Sequence, residues 1–536
     1  MAVEAVSDIA LVFMIIGGFI LISNHLSLPT IPSYIMAGVL AGFFIQQENI
    51  IEMARWGLTF IIFAFGVSIN FQDIKKVIWE SEIILGFQIL TLGISSFVIG
   101  IILGLGHTNS FYFTVAVILS STIIGFKLMG KNGKSRLVHG RLSESIQFTD
   151  DLFAILIIVI LGVIALDEFT AFLIVKNLVY VIIMFMGSFL IYRYGFKYII
   201  KAAGGSGELI LMGSISLLVI FLGLCELLGI SLLVGAFAAG LAVKIEPYRC
   251  TAVVTGVESI KYFFSAIFFA MLGGLLNMPS PYTLILALTL ILLVALFKPL
   301  VTTLILTKKD YDTRTAALTG IRFSQMSEFT LIIAIEGFLI GLLVLELFDA
   351  IIIASVVTMI YSSVILSKDE GMYDIFKRIF KHTSMKKTDE KSSVRSDIRD
   401  HVIIIGYGRQ GKILSKKCKT NNIESLIIEN DPVKIGALER DARHHVFGDA
   451  MNDYTWEKAK AKKAKIVIST VDDTKLSEKL ISMGLGCPVI PKSFFQDETK
   501  EFFQRGVKYV NNPKLLADSY VREEVIKYFE GKSIPK

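Results

Sequence analysis

Two adjacent carboxylates, Asp150 and Asp151, sit inside the apolar stretch IQFTDDLFAILIIVILGVIAL, and a lone lysine, Lys298, sits inside ILALTLILLVALFKPLVTTLIL. An ionisable group at the centre of a bilayer costs about 2.5–3.5 kcal/mol on insertion scales, so residues of this kind are functional candidates by default. The aspartates lie some nine residues in from a basic segment, about 13 Å at the helical rise. Lys298 lies ten residues from Lys308, about 15 Å by the same measure. Matching depth lets one lysine and two carboxylates meet near a membrane midplane. Neighbouring carboxylates in a low dielectric resist ionising together, so such a pair can hold a proton or a metal cation in turn. Competition at one site is the requirement for exchange.

Two further apolar stretches are interrupted by polar residues. ILSSTIIGFKLMG places Ser120, Ser121 and Thr122 mid-span, and GIRFSQMSEFTLII places Ser324, Gln325, Ser327 and Glu328 mid-span. Side chains able to satisfy freed backbone groups are what a broken transmembrane helix needs. Paired discontinuous helices in inverted repeats mark the binding site of many secondary transporters. Glu328 adds a third intramembrane acid.

A different chemistry is written near the C-terminus. HVIIIGYGRQGKILSKKCKTNNIESLIIENDP reads as a strand (Val402–Ile405), the turn Gly406-Tyr407-Gly408-Arg409-Gln410-Gly411, a helix, and a second strand (Ser425–Ile428) that ends at Glu429, with Asn430 beside it as a further ligand-binding candidate. The first glycine permits the tight turn, the second lets backbone approach a pyrophosphate, and the third lets helix pack on strand. Phosphate then meets the N–H groups of the helix N-terminus. Glu429 lies 18 residues past Gly411, about where an acid holds a ribose 2′-hydroxyl. Strand–helix alternation continues through HHVFGD, AKIVIST and CPVIP. His444 and His445 read as surface or edge residues, not as ligands.

The elements that must position these groups follow from hydropathy and charge. The chain is 54% hydrophobic and 19% charged, below the quarter usual for soluble proteins, and the apolar excess fills residues 1–366. Runs of the ~20 residues that cross a bilayer fall near 7–23, 28–46, 55–70, 78–105, 112–130, 142–166, 169–192, 207–227, 229–244, 259–277, 282–307, 312–340 and 347–366. Thirteen spans put the termini on opposite sides. Lys75/Lys76, Lys127 to Arg141, Lys197/Lys201, Lys244/Arg249 and Lys308/Lys309/Arg314 occupy alternate loops; the positive-inside rule places those loops, and the C-terminal domain, in the cytosol. Glu4 and Asp8 suit an outside N-terminus, and MAVEAVSDIA lacks the basic n-region of a cleaved signal peptide. The fold expected is an all-α polytopic membrane domain over 1–366, a linker over 367–400 with an amphipathic stretch Tyr373–Phe380, and an α/β Rossmann-like domain over 401–536. Four cysteines without paired spacing suggest neither disulfides nor zinc, and no metal site is expected beyond the transported ion. The net charge of +6 is accounted for by the cytosolic loops and needs no nucleic acid.

These residues together resemble the Kef-type branch of the second monovalent cation:proton antiporter family, over nearly the whole chain. LPTIPSYIMAGVLAG (28–42) is similar to its Pro-containing second span, SSTIIG (120–125) to its first unwound segment and TDDLFAI (149–155) to its acidic motif. GAFAAGLAV (235–243), FFSAIFFAMLGGL (263–275) and SQMSEF (324–329) resemble its small-residue helix, its Phe-rich span and its second broken helix. The resemblance implies two crossed broken helices, a homodimer in the bilayer, K+ or Na+ and H+ as substrates, and Asp151 as the essential carboxylate. It implies Asp150 as the partner of Lys298, the arrangement of charge-moving, sodium-type members, where Kef potassium members carry Gln-Asp. Ser68 and Asn70 stand where Kef members tend to carry acids, and YRCTAVVTGVESIK lacks most of the acidic loop of glutathione-gated ones, so glutathione gating is not expected. The C-terminal part resembles the N-terminal lobe of the domain that regulates potassium conductance (RCK, or TrkA-N). That implies NAD(H) or an adenine nucleotide such as AMP or ATP as regulatory ligand, with Asp449, Ala450, Thr470, Asp472 and Asp473 along its cleft or dimer interface.

Two other classes compete. A nucleotide-gated potassium channel needs a carbonyl filter such as TVGYG, and no such segment occurs. An oxidoreductase needs an acid or base beside the nicotinamide, and 401–536 supplies no evident one. No catalytic residues are therefore assigned, and the nucleotide is read as a signal.

Overall fold

The computed structural model describes residues 2–25, 29–44, 47–68, 79–121, 137–164, 171–204, 206–243, 251–367, 388–395, 397–441, 443–493, 495–515, 517, 518, 521 and 526. Asn70, Thr122, Lys75/Lys76, Lys127 to Arg136, Lys244 to Arg249 and Tyr373–Phe380 lie outside them. The chain divides into two compact units, one of Met1–Ile124, Ser145–Lys298 and Phe323–Leu366, the other of Gly125–Glu144, Pro299–Arg322 and Ser367–Lys536.

The first unit is helical. Among the described residues, seven helices are long and apolar enough to cross a membrane, and they fall on seven of the thirteen expected spans. Three more apolar helices are shorter: Phe13–Ser23, Thr30–Ala41 and Leu232–Ala242. Two of the remaining three spans are interrupted, and the last is the 27-residue helix Val138–Ile164 that carries the aspartates. On Ala171–Leu190 the row Leu178, Ile182, Met186 and Phe189 is exposed, each at least half. An apolar stripe of this kind belongs against lipid.

Small residues set how closely the inner helices approach. A Cβ on Gly38 would lie 1.7 Å from the Ala270 carbonyl oxygen, and one on Gly273 would lie 2.0 Å from that of Ile35. Helices Thr30–Ala41 and Thr251–Gly274 therefore touch backbone to backbone, the geometry that small residues permit in membranes. A Cβ on Gly240 would likewise lie 2.3 Å from the Phe63 carbonyl oxygen, where Leu232–Ala242 packs on Gln47–Ser68.

One helix changes pitch where it matters. Pro281–Leu292 passes through a π turn, Leu293–Phe297, before continuing as Lys298–Lys308. Pro299 has no N–H to give to residue 295, and its ring crowds that carbonyl; widening the turn relieves both, and such bulges are frequent at functional sites.

The second unit carries a five-stranded parallel sheet in the order β3-β2-β1-β4-β5. Its strands are β1 (His401–Ile405), β2 (Ser425–Glu429), β3 (His445–Phe447), β4 (Ala464–Ser469) and β5 (Val489–Ile490). Continuous apolar runs such as VIII suit a parallel sheet covered on both faces. Side chains alternate accordingly: Ile403, Ile405, Leu426, Ile428 and Val446 pack with Trp456, Leu476 and Leu480, while Ile404, Ile427 and Phe447 pack with Tyr407, Ile435 and Leu438. The unit begins earlier than the expected boundary at 401. Ser393 pairs antiparallel with His445, the Ser392 hydroxyl accepts from Phe447 N, and Ile398 joins the core. His445 is accordingly an edge-strand residue that is nonetheless buried, its ring nitrogens on the Arg443 and Lys391 carbonyls.

Candidate ion site and nucleotide cleft

The first interrupted span begins as the half-helix His107–Ile118 and loses helical geometry at Leu119, whose ψ is 141°. Its last carbonyls would be stranded in the membrane interior. Lys298 takes them: its buried ammonium donates to the Val117, Ile118 and Leu119 carbonyls at 2.5–3.0 Å. A cation at a helix C-terminus also opposes the negative end of the helix dipole. The second interrupted span runs from Thr313–Ile321 through residues 322–327 to the half-helix Glu328–Leu339, capped by the Ser327 hydroxyl accepting from Phe329 N. Helix Leu345–Ser367 services this break: Thr358 accepts from Met326 N and Ser362 bonds the Gln325 amide.

The two breaks meet. Gln325 Nε2 donates to the Ser121 carbonyl at 2.8 Å, and Gln147 Nε2, from the aspartate helix, donates to the same oxygen at 3.3 Å. Asp150 Oδ2 accepts from Ser120 N at 2.7 Å, and Lys298 and Glu328 both act on Asp150 electrostatically. Asp150 is 1% exposed, Asp151 and Glu328 7% each. Ser120, Ser121, Gln325 and Ser327 are buried as well. Of the nine residues expected at one place, Asp150, Ser120, Ser121, Gln325, Lys298 and Glu328 are linked here by hydrogen bonds or charge; Ser327 caps the Glu328 helix, Asp151 is the buried neighbour of Asp150 on one helix, and Thr122 is outside the described residues. Gln147 was not anticipated. Its position three residues before Asp150 on one helix was the available signal.

Several oxygens at this point have no hydrogen-bond donor among the described residues: Asp150 Oδ1, Ser120 Oγ, Ser121 Oγ and Gln147 Oε1. Buried oxygens left without donors are costly. They form the hard-oxygen donor set that an alkali or alkaline-earth cation accepts.

In the second unit, β1 runs into Gly406, whose φ of 88° needs a residue without a side chain. Gly408 caps the helix Arg409–Thr420, and a Cβ there would meet nothing within 4 Å; a Cβ on Gly411 would lie 2.0 Å from the Gly406 carbonyl oxygen. The middle glycine thus faces open space, and the third is needed for packing. A cleft opens at the carboxyl ends of β1 and β4, where the strand order reverses, the place where such sheets bind ligands. Its lining includes Gly406, Gly408, Glu429, Asn430, Asp449, Ala450 and Thr470. Of the other expected residues, Tyr407 turns its ring into the core, with its hydroxyl on Asp441, while Gly411 is buried, Gln410 is half-buried and Arg409 is exposed, none of the three lining the cleft. Glu429 is closely held: it accepts from Tyr407 N, Asn430 N and Asp431 N at 2.6–3.1 Å and pairs with Lys434 at 3.2 Å. Asp472 pairs with Lys492 at 2.9 Å.

Two interrupted helices meeting at a buried acidic pair define an ion-coupled membrane carrier, joined here to a glycine-turn parallel α/β unit. Comparison with known proteins gives the family. The sodium/hydrogen exchanger transmembrane model matches residues 10–368 and the TrkA-N domain model residues 402–487. The chain belongs to the sodium/hydrogen exchanger family and is a cation/proton antiporter carrying a TrkA-N domain. It is 23% identical to the putative cation/proton antiporter YbaL of Escherichia coli K12, over 93% of this chain and 94% of that one. Its fold matches the sodium proton antiporter MjNhaP1 of Methanocaldococcus jannaschii, with a TM-score of 0.52 and 18% identity over 69% of this chain and 98% of that one. The TrkA-N domain of the Escherichia coli inner membrane protein ybaL is 25% identical over 24% of this chain and 97% of that one, with a TM-score of 0.23.

Proposed function

We propose that this antiporter exchanges Na+ or K+ for protons by alternating access, with the Asp150–Asp151 pair as the shared site, and that a nucleotide in the TrkA-N cleft sets its rate. The observation that carries the first part is the cluster of donorless oxygens on Asp150, Ser120, Ser121 and Gln147 around the broken span. A monovalent cation entering there gains ligands that no described residue satisfies, and displaces protons from the carboxylates. Asp151 is the residue whose protonation and metal binding alternate. Asp150, held by Ser120 N and under the charge of Lys298, adds a second carboxylate whose release makes exchange charge-moving. Glu328, Gln325 and Ser327 complete the polar wall. The unit works as a multi-pass membrane homodimer, N-terminus outside and TrkA-N domain cytosolic, and it makes and breaks no covalent bond of its substrates.

Proton flux in proteoliposomes, measured against each alkali cation, tests this reading. Asp151→Asn abolishes exchange if the pair is the shared site; undiminished exchange removes Asp151 from it. For the nucleotide, NAD(H) or an adenine nucleotide fits the glycine turn and the acid at the end of β2. Gly408→Asp places a carboxylate where phosphate would lie, and both nucleotide binding and the nucleotide's effect on flux should vanish. A nucleotide response that survives this change sinks the regulatory reading.

A further inference from the structure

The cleft is not built from the TrkA-N fold alone. Leu137, Val138, His139, Arg141 and Arg314, all of the same compact unit but from the segments that precede and follow membrane helices, line it together with Gly406, Gly408 and Glu429. Arg314 reaches in from the start of the helix Thr313–Ile321. Its guanidinium lies 3.5 Å from Asp449 Oδ1 and 3.9 Å from Asp473 Oδ2, with its side chain only 12% exposed. Arg141 pairs with Asp431 at 3.2 Å, and Asn430 Nδ2 lies 3.4 Å from Thr315 Oγ1.

The charge balance gives these contacts meaning. Five acids line or flank the cleft, Glu429, Asp431, Asp449, Asp472 and Asp473, and a sixth, the buried Asp312, lies close enough to Asp449 to act on it electrostatically. An anionic ligand cannot enter against them unless cations screen them, and two are already committed within the α/β fold, Lys434 to Glu429 and Lys492 to Asp472. The countercharge for Asp449 and Asp473 comes instead from Arg314. A guanidinium presents five donors in a fixed fork, enough to keep a carboxylate and take a phosphate oxygen together.

We propose that Arg314 is a phosphate-binding residue of the nucleotide site, so that a ligand bearing a diphosphate ties the helix Thr313–Ile321 to the TrkA-N fold. This rests on the reading of the cleft as a nucleotide site and names how that site is regulated. Along the chain, the helix that Arg314 opens leads directly into the break at residues 322–327 and then Glu328. Arg141 likewise opens the helix that carries Asp150, nine residues further on. By linkage, whatever these segments contribute to nucleotide affinity, the nucleotide returns as restraint on them.

The test is ADP and NAD affinity of the full-length protein in nanodiscs, measured by calorimetry. Arg314→Gln raises both dissociation constants at least tenfold, and Arg314→Lys, which keeps the charge but not the fork, recovers part of the loss. Equal or tighter binding by Arg314→Gln overturns the proposal. Asp473→Asn gives a second arm that needs no loss of fold, since asparagine still caps the helix Thr474–Ser482. It frees the guanidinium from one carboxylate and removes one negative charge, so affinity should rise at least threefold; unchanged or weaker binding also overturns the proposal. Should the wild-type protein bind neither ligand, it is the nucleotide reading of the cleft that fails, an outcome distinct from either variant result.

Discussion

Gln325 Nε2 donates to the Ser121 carbonyl at 2.8 Å across 204 residues of sequence, tying one interrupted helix to the other at the level of the acidic pair. The same amide accepts from Ser362 through its oxygen, so both ends of Gln325 are engaged and its orientation is fixed. Each break leaves main-chain groups that would be intolerable in lipid. Each is completed by the other or by a neighbouring helix.

Gln325→Leu removes that tie at nearly constant volume and strands the Ser362 hydroxyl. Losing a partner for a buried polar group costs about 1–3 kcal/mol of stability, and with the Ser121 carbonyl less firmly held the apparent KM for the cation should also rise. Ion-concentration dependence of flux in proteoliposomes reads this directly. A wild-type KM would show that the bridge is scaffolding with no bearing on the ion.

Lys298→Met should be severe for stability as well as transport. It leaves the Val117, Ile118 and Leu119 carbonyls without their donor and Asp150 without its opposing charge. Breaking one partner of a buried ionic arrangement costs about 3–5 kcal/mol, visible as a lowered Tm in detergent. Lys298→Gln, which can still donate two hydrogen bonds, should fold better yet lose the dependence of flux on membrane voltage. Voltage-insensitive wild-type exchange would refute the charge-moving mechanism.

Glycines in the membrane unit should divide sharply by position. Gly38→Ala drives a Cβ into the Ala270 carbonyl and must separate two helices, whereas a Cβ on Gly17 meets nothing within 4 Å. Gly38→Ala should lower thermal stability, while Gly17→Ala should be neutral or gain about 0.5–1 kcal/mol from the reduced freedom of the unfolded chain. Fluorescence-detected size exclusion after heating separates the two.

The glycine turn offers the same contrast in the α/β unit. Gly411→Ala places a methyl 2.0 Å from the Gly406 carbonyl oxygen and should destabilise the domain by about 1–3 kcal/mol, the range for overpacking. Gly408→Ala meets no described atom within 4 Å and should leave the melting temperature unchanged while weakening ADP binding, because its side chain occupies the approach path of phosphate. Equal effects of the two substitutions on folding would contradict the separate roles assigned to the two glycines.

Much of this was open to reading in one dimension. Ionisable residues inside apolar runs are conspicuous because the bilayer penalises them, so Asp150, Asp151, Lys298 and Glu328 stand out without coordinates. Polar interruptions at Ser120–Thr122 and Ser324–Glu328 announce broken helices for the same reason, and GYGRQG followed by Glu429 announces a turn that only glycine can make. These signals are local: they depend on what one residue tolerates in lipid or in one backbone conformation.

Pairings between distant segments, in contrast, came from the three-dimensional fold. Lys298 was expected beside an aspartate; it also caps the carbonyl end of a half-helix 180 residues away, because that end needs a cation wherever the crossing brings one. The sequence assigned Arg314 to a basic cytosolic loop, and the fold delivers it between Asp449 and Asp473. Ser393 looked like linker and is an edge partner of His445. Hydropathy and charge state how deep a residue should lie and in which kind of element. Which partner it finds there depends on how helices cross and where chain segments turn back, and those are set by packing across the whole unit.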